Sequence, residues 1–438
     1  MSSRRASAVL EPPPDAPPHR EEELVLAIDV GSSRVAAALA TLERGRPVVL
    51  SGECVSSYGL RDGEVVDLDR SAESIAIAAQ AVLGHVRTRV RRAVVGFSGS
   101  ARLSVSRGTL AFSGGKRPVT SADVARLRRT IYPDGGTQRE TVQRGDGPYS
   151  VGEMHGIERP HGLIGSSLGM SSTFLTAQVL GLEHLRKAVR LARLKVEQIV
   201  LAAHAASLGV LSPDERALGA VVLDFGAGAF RGILWEGGRL RQLYGSNQDH
   251  SVGAAAVTPA PGGMEGVVLA LARHFRISTA TTRRLVCEQA RVCAGSAKSL
   301  RAVEVTAVDG LSNLWLDLGE FSRTLEDLLT PHLRSIRDGL SLFSESHAAG
   351  VILTGAGARL PGLEELVGRH FGDAPVRVGA PHWDVRGELP PELDGPGGST
   401  LCGLVHSGFE RRAAEQLKGG VAWWGSLRAA LRRMTATW

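Results

Sequence analysis

Two apolar strands that each end in Asp-x-Gly constrain this fold more than any other feature of the chain. The first is Leu24-Val25-Leu26-Ala27-Ile28-Asp29-Val30-Gly31-Ser32-Ser33-Arg34, followed by a second apolar stretch from Val35 to Leu42. A short run rich in Val, Leu and Ile reads as a buried strand. Gly31 permits a tight turn and the close approach of a ligand where a Cβ would intrude. Ser32 and Ser33 place hydroxyls beside free backbone N–H groups, an arrangement that suits a phosphate. Asp29 suits a hydrated Mg2+, which takes carboxylate and water oxygens. A single turn of this kind is more often an ordinary hairpin. A second copy raises its weight: Ala220-Val221-Val222-Leu223-Asp224-Phe225-Gly226-Ala227-Gly228-Ala229, then the apolar Phe230 to Leu234 and a Gly237-Gly238 turn. Such a Gly-Gly pair is a hairpin signal. A third small-residue turn, Thr354-Gly355-Ala356-Gly357-Ala358-Arg359-Leu360-Pro361-Gly362, follows Val351-Ile352-Leu353. Two Asp-x-Gly hairpins about two hundred residues apart indicate a duplicated domain with a cleft between its halves, a repeat too long for a solenoid.

These pieces, in this order, resemble the actin, chaperone-ATPase and sugar-kinase superfamily. Asp29–Arg34 is similar to its first phosphate loop, Asp224–Phe230 to the second, and Thr354–Gly362 to the adenosine loop. His204-Ala205-Ala206-Ser207 and Ser399-Thr400-Leu401-Cys402-Gly403-Leu404 resemble its two connecting segments. Within the superfamily the chain most resembles the bacterial cell-division FtsA family. That resemblance rests on Gly63-Glu64-Val65-Val66-Asp67-Leu68, Leu194-Lys195-Val196-Glu197-Gln198-Ile199, Val210-Leu211-Ser212-Pro213-Asp214-Glu215-Arg216 and Val376-Arg377-Val378-Gly379-Ala380-Pro381. It runs from about Leu24 to the C-terminus and is weakest between Gly245 and Leu311.

The resemblance implies an α/β, actin-like fold of two lobes, each a ribonuclease-H-like copy, with an inserted FtsA-type subdomain and a C-terminal amphipathic helix. It implies ATP and Mg2+ between the lobes. Gly31, Ser32 and Ser33 would grip the phosphates from one side and Gly226, Ala227 and Gly228 from the other. Gly355, Ala356 and Gly357 would lie under the adenosine, and Asp29 and Asp224 would hold the metal. It further implies the FtsZ C-terminal tail, other divisome proteins, an anionic membrane surface and self-association into filaments as partners, at the cytoplasmic face of the division site. Several residues depart from the family pattern. Ala227 and Ala229 replace a glycine and a hydroxyl-bearing threonine, and Ala356 replaces a second glycine. Val267, Val268 and Leu269 follow Gly262-Gly263 in place of polar residues, and Val286 stands near an expected lysine. A methyl at Ala227 narrows the approach to phosphate. These changes imply weak nucleotide binding and at most weak ATPase activity. A kinase or chaperone ATPase of the same fold, and an actin-like adaptor of pilus assembly, are the alternative readings.

A chain of 438 residues that is 43% hydrophobic buries large cores and holds more than one domain. No apolar run is long enough to span a bilayer, and Arg4-Arg5 leads into Pro-rich acidic sequence with no signal-peptide pattern. Cys54, Cys287, Cys293 and Cys402 have no metal-ligand spacing and read as reduced thiols. A net charge of +6 with scattered arginines excludes a dedicated nucleic-acid binder, which shows a focused basic face.

The chain divides into a Pro-rich tail (1–23), the first lobe (24–91), an inserted subdomain (92–173), the second lobe (174–260), a small upper subdomain (261–310), the second lobe again (311–374), the first lobe again (375–406), a linker (407–420) and a terminal helix (421–438). Asp69 and Ser71 are candidate N-caps of a helix through Ala72 to Val90. The Gly145-Asp146-Gly147-Pro148 run reads as loop within an insertion of two short strands and a helix, and 384–399 as a further Gly/Pro-rich loop. Arg283, Arg284 and Arg291 either solvate a helix surface or, as the family resemblance implies for this subdomain, receive the acidic FtsZ tail.

The segment 421–438 carries the most specific signal. At about 100° per residue, Trp423, Trp424, Leu427, Leu431, Met434 and Trp438 form one stripe, while Arg428, Arg432 and Arg433 fall outside it. The segment holds three of the six tryptophans and no acidic residue. A strong apolar face with aromatic anchors and only positive charge describes a helix lying in a membrane interface. Each arginine near an anionic leaflet contributes about 1 kcal/mol, and each buried Trp or Leu at most about 1.5–3 kcal/mol. Deleting 421–438 is therefore expected to release the protein from anionic liposomes in a flotation assay and leave its melting temperature unchanged. A truncated protein that still floats would remove the helix as the anchor; a large drop in melting temperature would place it in the core.

Overall fold

The computed structural model describes residues 20–86, 88–131, 138–245, 262–292, 302–340, 348–372, 374–386 and 389–418. Residues 1–19, Cys293 and the residues expected to bind the membrane, Trp423, Trp424, Leu427, Arg428, Leu431, Arg432, Arg433, Met434 and Trp438, lie outside the described residues.

Each Asp-x-Gly turn sits in the first hairpin of its own sheet. In the first lobe Leu24–Val30, Arg34–Glu43 and Arg46–Ser56 form an antiparallel meander, and Arg92–Phe97 and Lys195–Leu201 add in parallel beside Leu24–Val30. In the second lobe Ala220–Phe225, Phe230–Glu236 and Arg239–Gly245 form the meander, and Val351–Thr354 and Val376–Val378 add in parallel. Three antiparallel strands followed by two parallel ones, in the same spatial order, occur twice: the duplication is structural. The first-lobe sheet extends to Leu201, beyond the boundary at 173, because Ile199, Val200 and Leu201 pair with Val95, Gly96 and Phe97. Conversely Val376–Val378 belongs to the second sheet, and only Asp384–Val385 returns to the first.

The strands are apolar because both of their faces are covered. Leu26, Ile28, Val30 and Val95 face a core shared with the helices Leu68–Leu83 and Val179–Leu191. Val25, Ala27 and Val94 face Leu401, Leu404, Val405 and Phe409 of the helix Ser399–Lys418. A further core joins Leu223, Phe225 and Phe230 to the helices Gly263–Phe275, Thr279–Glu288, Leu318–Gly339 and Leu363–Phe371. No helix among the described residues is long and apolar enough to cross a membrane.

Several local expectations are corrected. Asp67, not Asp69 or Ser71, caps the first helix, accepting from the Arg70 N–H at 3.1 Å. Ser71 instead turns inward and donates to the Gly59 carbonyl. The insertion is a sheet of Ala101–Ala111, Arg139–Val151, Ser167–Gln178 and Met154–Ile157, with longer strands than expected. Gly145 to Pro148 runs inside one of them. It stays extended because Asp146 is ion-paired with Arg144 at 2.6 Å and Arg128 at 3.0 Å, and accepts from the Ser172 hydroxyl. The helix Ser121–Thr130 opens on a Thr120/Asp123 capping box, and Arg117 grips the Asp123 carboxylate in a bidentate pair that holds it well below its usual range. Glu21–Glu23, expected in the tail, form a short 3-10 turn, and the carbonyls of Glu21, Glu22 and Leu24 accept from Arg412. Residues 407–418, expected as linker, continue the helix that begins at Ser399.

The two connecting segments are brought together. Ala202–Val210 is a helix of small residues that lies against Ser399–Lys418. A Cβ at Gly403 would overlap the Ala205 carbonyl, so the two backbones touch. The same short helix reaches the second lobe, where the Trp235 indole donates to Ser207 Oγ at 3.0 Å and stacks on His204 at 5.5 Å between ring centres. Burial, with Arg216 nearby, holds the His204 imidazole down to about 4. The unfolded chain takes up this proton below the ordinary value of 6.5 and the fold refuses it until about pH 4. Stability is therefore expected to be full at neutral pH and to fall by up to about 3 kcal/mol from this residue as pH drops through that window. Thermal melts from neutral to acidic pH should show His204→Phe losing less stability than the parent; parallel profiles would mean that His204 titrates freely in the fold.

Candidate interlobe nucleotide cleft

The carboxyl ends of the two central strands face each other across one cavity of about 400 Å³. All the residues proposed from sequence for nucleotide and metal line it: Asp29, Gly31, Ser32 and Ser33 from the first lobe, Asp224, Gly226, Ala227 and Gly228 from the second, and Gly355, Ala356 and Gly357 from the third turn. In the first loop the Gly31 N–H donates to the Arg34 carbonyl at 3.1 Å, closing the turn. Ser32 Oγ accepts from the Gly63 N–H at 2.9 Å, so this hydroxyl is already held by the neighbouring loop. In the second loop the carbonyls of Gly226 and Ala227 accept from the Met264 and Glu265 N–H groups at 3.0 and 2.9 Å. The first turn of the helix Gly263–Phe275 thus fixes that loop. Val268 of this helix is a buried part of the cleft wall and Val267 packs into the second-lobe core, which accounts for the apolar residues there.

Gly355 turns the third loop with φ +81°, and a Cβ there would lie 2.6 Å from Asp224 Oδ1. Its N–H donates to the Pro396 carbonyl at 3.2 Å. Phe225, Met264, Val268, Val286 and Leu360 give this end an apolar surface, and an Arg283–Glu265 ion pair of 2.6 Å stands at its edge. Arg283 therefore lines the cleft at its exposed edge, and Arg284 and Arg291 are solvent-exposed as well. A cavity with an apolar end and a polar, glycine-lined end suits a nucleoside polyphosphate, base at one end and phosphates at the other.

The floor is densely charged. Burial pushes the Asp29 carboxyl up to about 6, opposed by Arg34 and Arg231 and assisted by Asp224. Its Oδ1 has no hydrogen-bond partner among the described residues. Burial also raises Asp224, opposed by Arg231 and Arg34. Arg231 is 5% exposed. Burial lowers its pKa, and Asp224, Glu64 and Asp29 act to keep its charge. Arg34 donates to the Glu392 carbonyl at 3.0 Å and to that of Gly397 at 2.6 Å. Arg231 and the Glu392–Gly397 segment escaped sequence reading. The available signal for Arg231 was a lone charge in the otherwise buried strand Phe230–Glu236, a position that requires a partner. The segment 384–399 gave only Gly and Pro, which do not distinguish a surface loop from one that closes a site.

No family model matches the chain. It is 24% identical to the cell division protein FtsA of Neisseria meningitidis over 94% of this chain and 98% of that protein. It is 25% identical to FtsA of Pseudomonas aeruginosa over 89% and 90%, and 26% identical to FtsA of Escherichia coli over 89% and 91%. Among solved structures it superposes on the PilM–PilN type IV pilus biogenesis complex with a TM-score of 0.57 at 16% identity, covering 88% of this chain and 98% of that one. It superposes on MreB5 of Spiroplasma citri bound to ADP with a TM-score of 0.53 at 11% identity, covering 91% and 100%.

A left-handed glycine against a buried carboxylate is the most exacting backbone position of this cleft. Gly355→Ala is expected to cost roughly 1–3 kcal/mol and to lower the melting temperature measured by circular dichroism. An unchanged melting temperature would mean that the third loop adopts another conformation. By fold the chain is actin-like, and by sequence over most of its length it is a divergent relative of FtsA.

Proposed function

We propose that this protein is an actin-like cell-division scaffold that binds ATP between its lobes and assembles on the cytoplasmic face of the membrane. The observation that carries the reading is similarity to FtsA along nine-tenths of the chain, together with a cleft lined by all three resembling loops. Nucleotide binding is supported by the cleft itself and by the shared fold with a protein solved with ADP. Gly31, Ser33 and Gly228 offer backbone approach to the phosphates, and Met264, Val268 and Val286 an apolar face to the base. Asp29 and Asp224 line the same cleft, with Arg231 opposite Asp224 in register. Ala227 and Ala229 supply neither the glycine nor the hydroxyl of the family pattern, so turnover is slow and the nucleotide acts on conformation.

The segment 421–438 holds the body to anionic lipid. Contacts between the large lobes and the inserted subdomain join copies head to tail, and heterologous contacts of that kind generate open filaments. The small upper subdomain receives the acidic tail of FtsZ, with Arg284 and Arg291 exposed on that part of the chain. The shared fold with PilM keeps a pilus-assembly adaptor as the second reading; the amphipathic C-terminal segment favours the division scaffold.

Full-length protein on an anionic lipid monolayer is expected to form filaments or small rings under the electron microscope, and to retain FtsZ on anionic liposomes only when both 421–438 and the FtsZ tail are present. Recruitment that survives removal of the FtsZ tail, or a protein that stays monodisperse at high surface density, would argue for the adaptor reading.

A further inference from the structure

The cleft carries its own positive charge next to the two carboxylates that a metal would need. Asp224 and Arg231 are direct cross-strand partners in the hairpin of the second lobe. Arg231 is almost fully buried and lines the cleft, as Arg34 does from the first lobe. The Arg231 Nη2 group donates across the cleft to the carbonyls of Ser98 and, at 3.2 Å, Gly99. Arg34 is likewise fixed, by two carbonyls of the 392–397 segment.

A hydrated Mg2+ held by Asp29 and Asp224 does not fit this arrangement. Two carboxylates hold a divalent cation by their excess of negative charge. Here two guanidiniums line the same floor and balance that charge. A dication placed among them meets repulsion that a low-dielectric cleft strengthens. A polyphosphate meets the same balanced floor, and there the guanidiniums are the groups able to pair with its oxygens, in charge-assisted hydrogen bonds.

We infer that Arg231 stands in for the metal, and that the cleft takes the phosphates of a nucleotide as the free polyanion, between Arg231 and Arg34. This rests on the reading of the cleft as a nucleotide site. It makes the bound ligand metal-free ATP or ADP rather than the magnesium complex, and it makes Arg231 a bridge from second-lobe strand to first-lobe loop that the phosphates reinforce.

Calorimetry of the full chain with ATP, once in excess Mg2+ and once in excess EDTA, tests it. The unmodified protein is expected to bind at least as tightly in EDTA as in Mg2+. Arg231→Gln is expected to lose about tenfold or more in EDTA and to bind better with Mg2+ than without, while Arg231→Lys keeps the metal-independence. The comparison of the two buffers on unmodified protein needs no variant, so a misfolded Arg231→Gln does not blunt the test. Binding by the unmodified protein that weakens about tenfold or more in EDTA would overturn the inference and leave the nucleotide reading intact. No binding in either buffer would overturn the nucleotide reading and this inference with it.

Discussion

The structure depends on two helices whose backbones touch. Ala202–Val210 and Ser399–Lys418 approach until Gly403 lies against the Ala205 carbonyl, a distance that only a missing side chain allows. Everything on either side follows from that contact. The longer helix seals one face of the first sheet through Leu401, Leu404, Val405 and Phe409. The shorter one passes into the second lobe and is pinned there through Ser207 and Trp235. Because the join is close-packed, the lobes share one continuous apolar core in which Val95 and Leu201 belong to the same cluster as Val222 and Ile352. Close-packed interiors are stiff, so the spacing of the two Asp-x-Gly loops is set far from the loops themselves.

The cleft is then a consequence of duplication. Two copies of one sheet, facing each other, bring equivalent strand ends together, and strand ends are where backbone N–H groups are left over. The same duplication brings two aspartates, Asp29 half-buried and Asp224 buried, to one cleft. Two carboxylates in a low dielectric repel and favour protonation, and the chain answers with Arg231 opposite Asp224 in register. The charge balance of the floor is thereby written into strand pairing, which tolerates no slip: moving the hairpin by one residue would send Arg231 to the other face of the sheet.

The parts of this arrangement legible in the sequence were those with local signals. Continuous apolar runs ending in Asp-x-Gly marked the central strands of both lobes, and the segments around His204 and Gly403 were identified by family resemblance as connections, not as helices. What escaped had no local signal. The strand Arg139–Val151 alternates weakly and contains Gly, Asp and Pro; it is extended because Ser167–Gln178 pairs with it and because Asp146 finds two arginines, which are properties of the partners. Asp67 outcompeted Asp69 and Ser71 as a cap because Ser71 is taken by the Gly59 carbonyl. Arg231 was visible as a charge in a buried strand, but its meaning came only with Asp224, Ser98 and Gly99 in place around it.

The continuation of the last described helix to Lys418 has a mechanical consequence. A fourteen-residue linker over 407–420 would let the body drift on a leash of up to about 50 Å. With helix through Lys418, only Gly419 and Gly420 separate a moored rod from the amphipathic segment, a reach of about 7 Å. That helix is lashed to the first lobe by the Arg412–Glu197 ion pair at 2.6 Å. On the membrane reading, such a short coupling would make lipid curvature and lobe orientation a single variable, so that a filament of these subunits senses the shape of the surface it lies on.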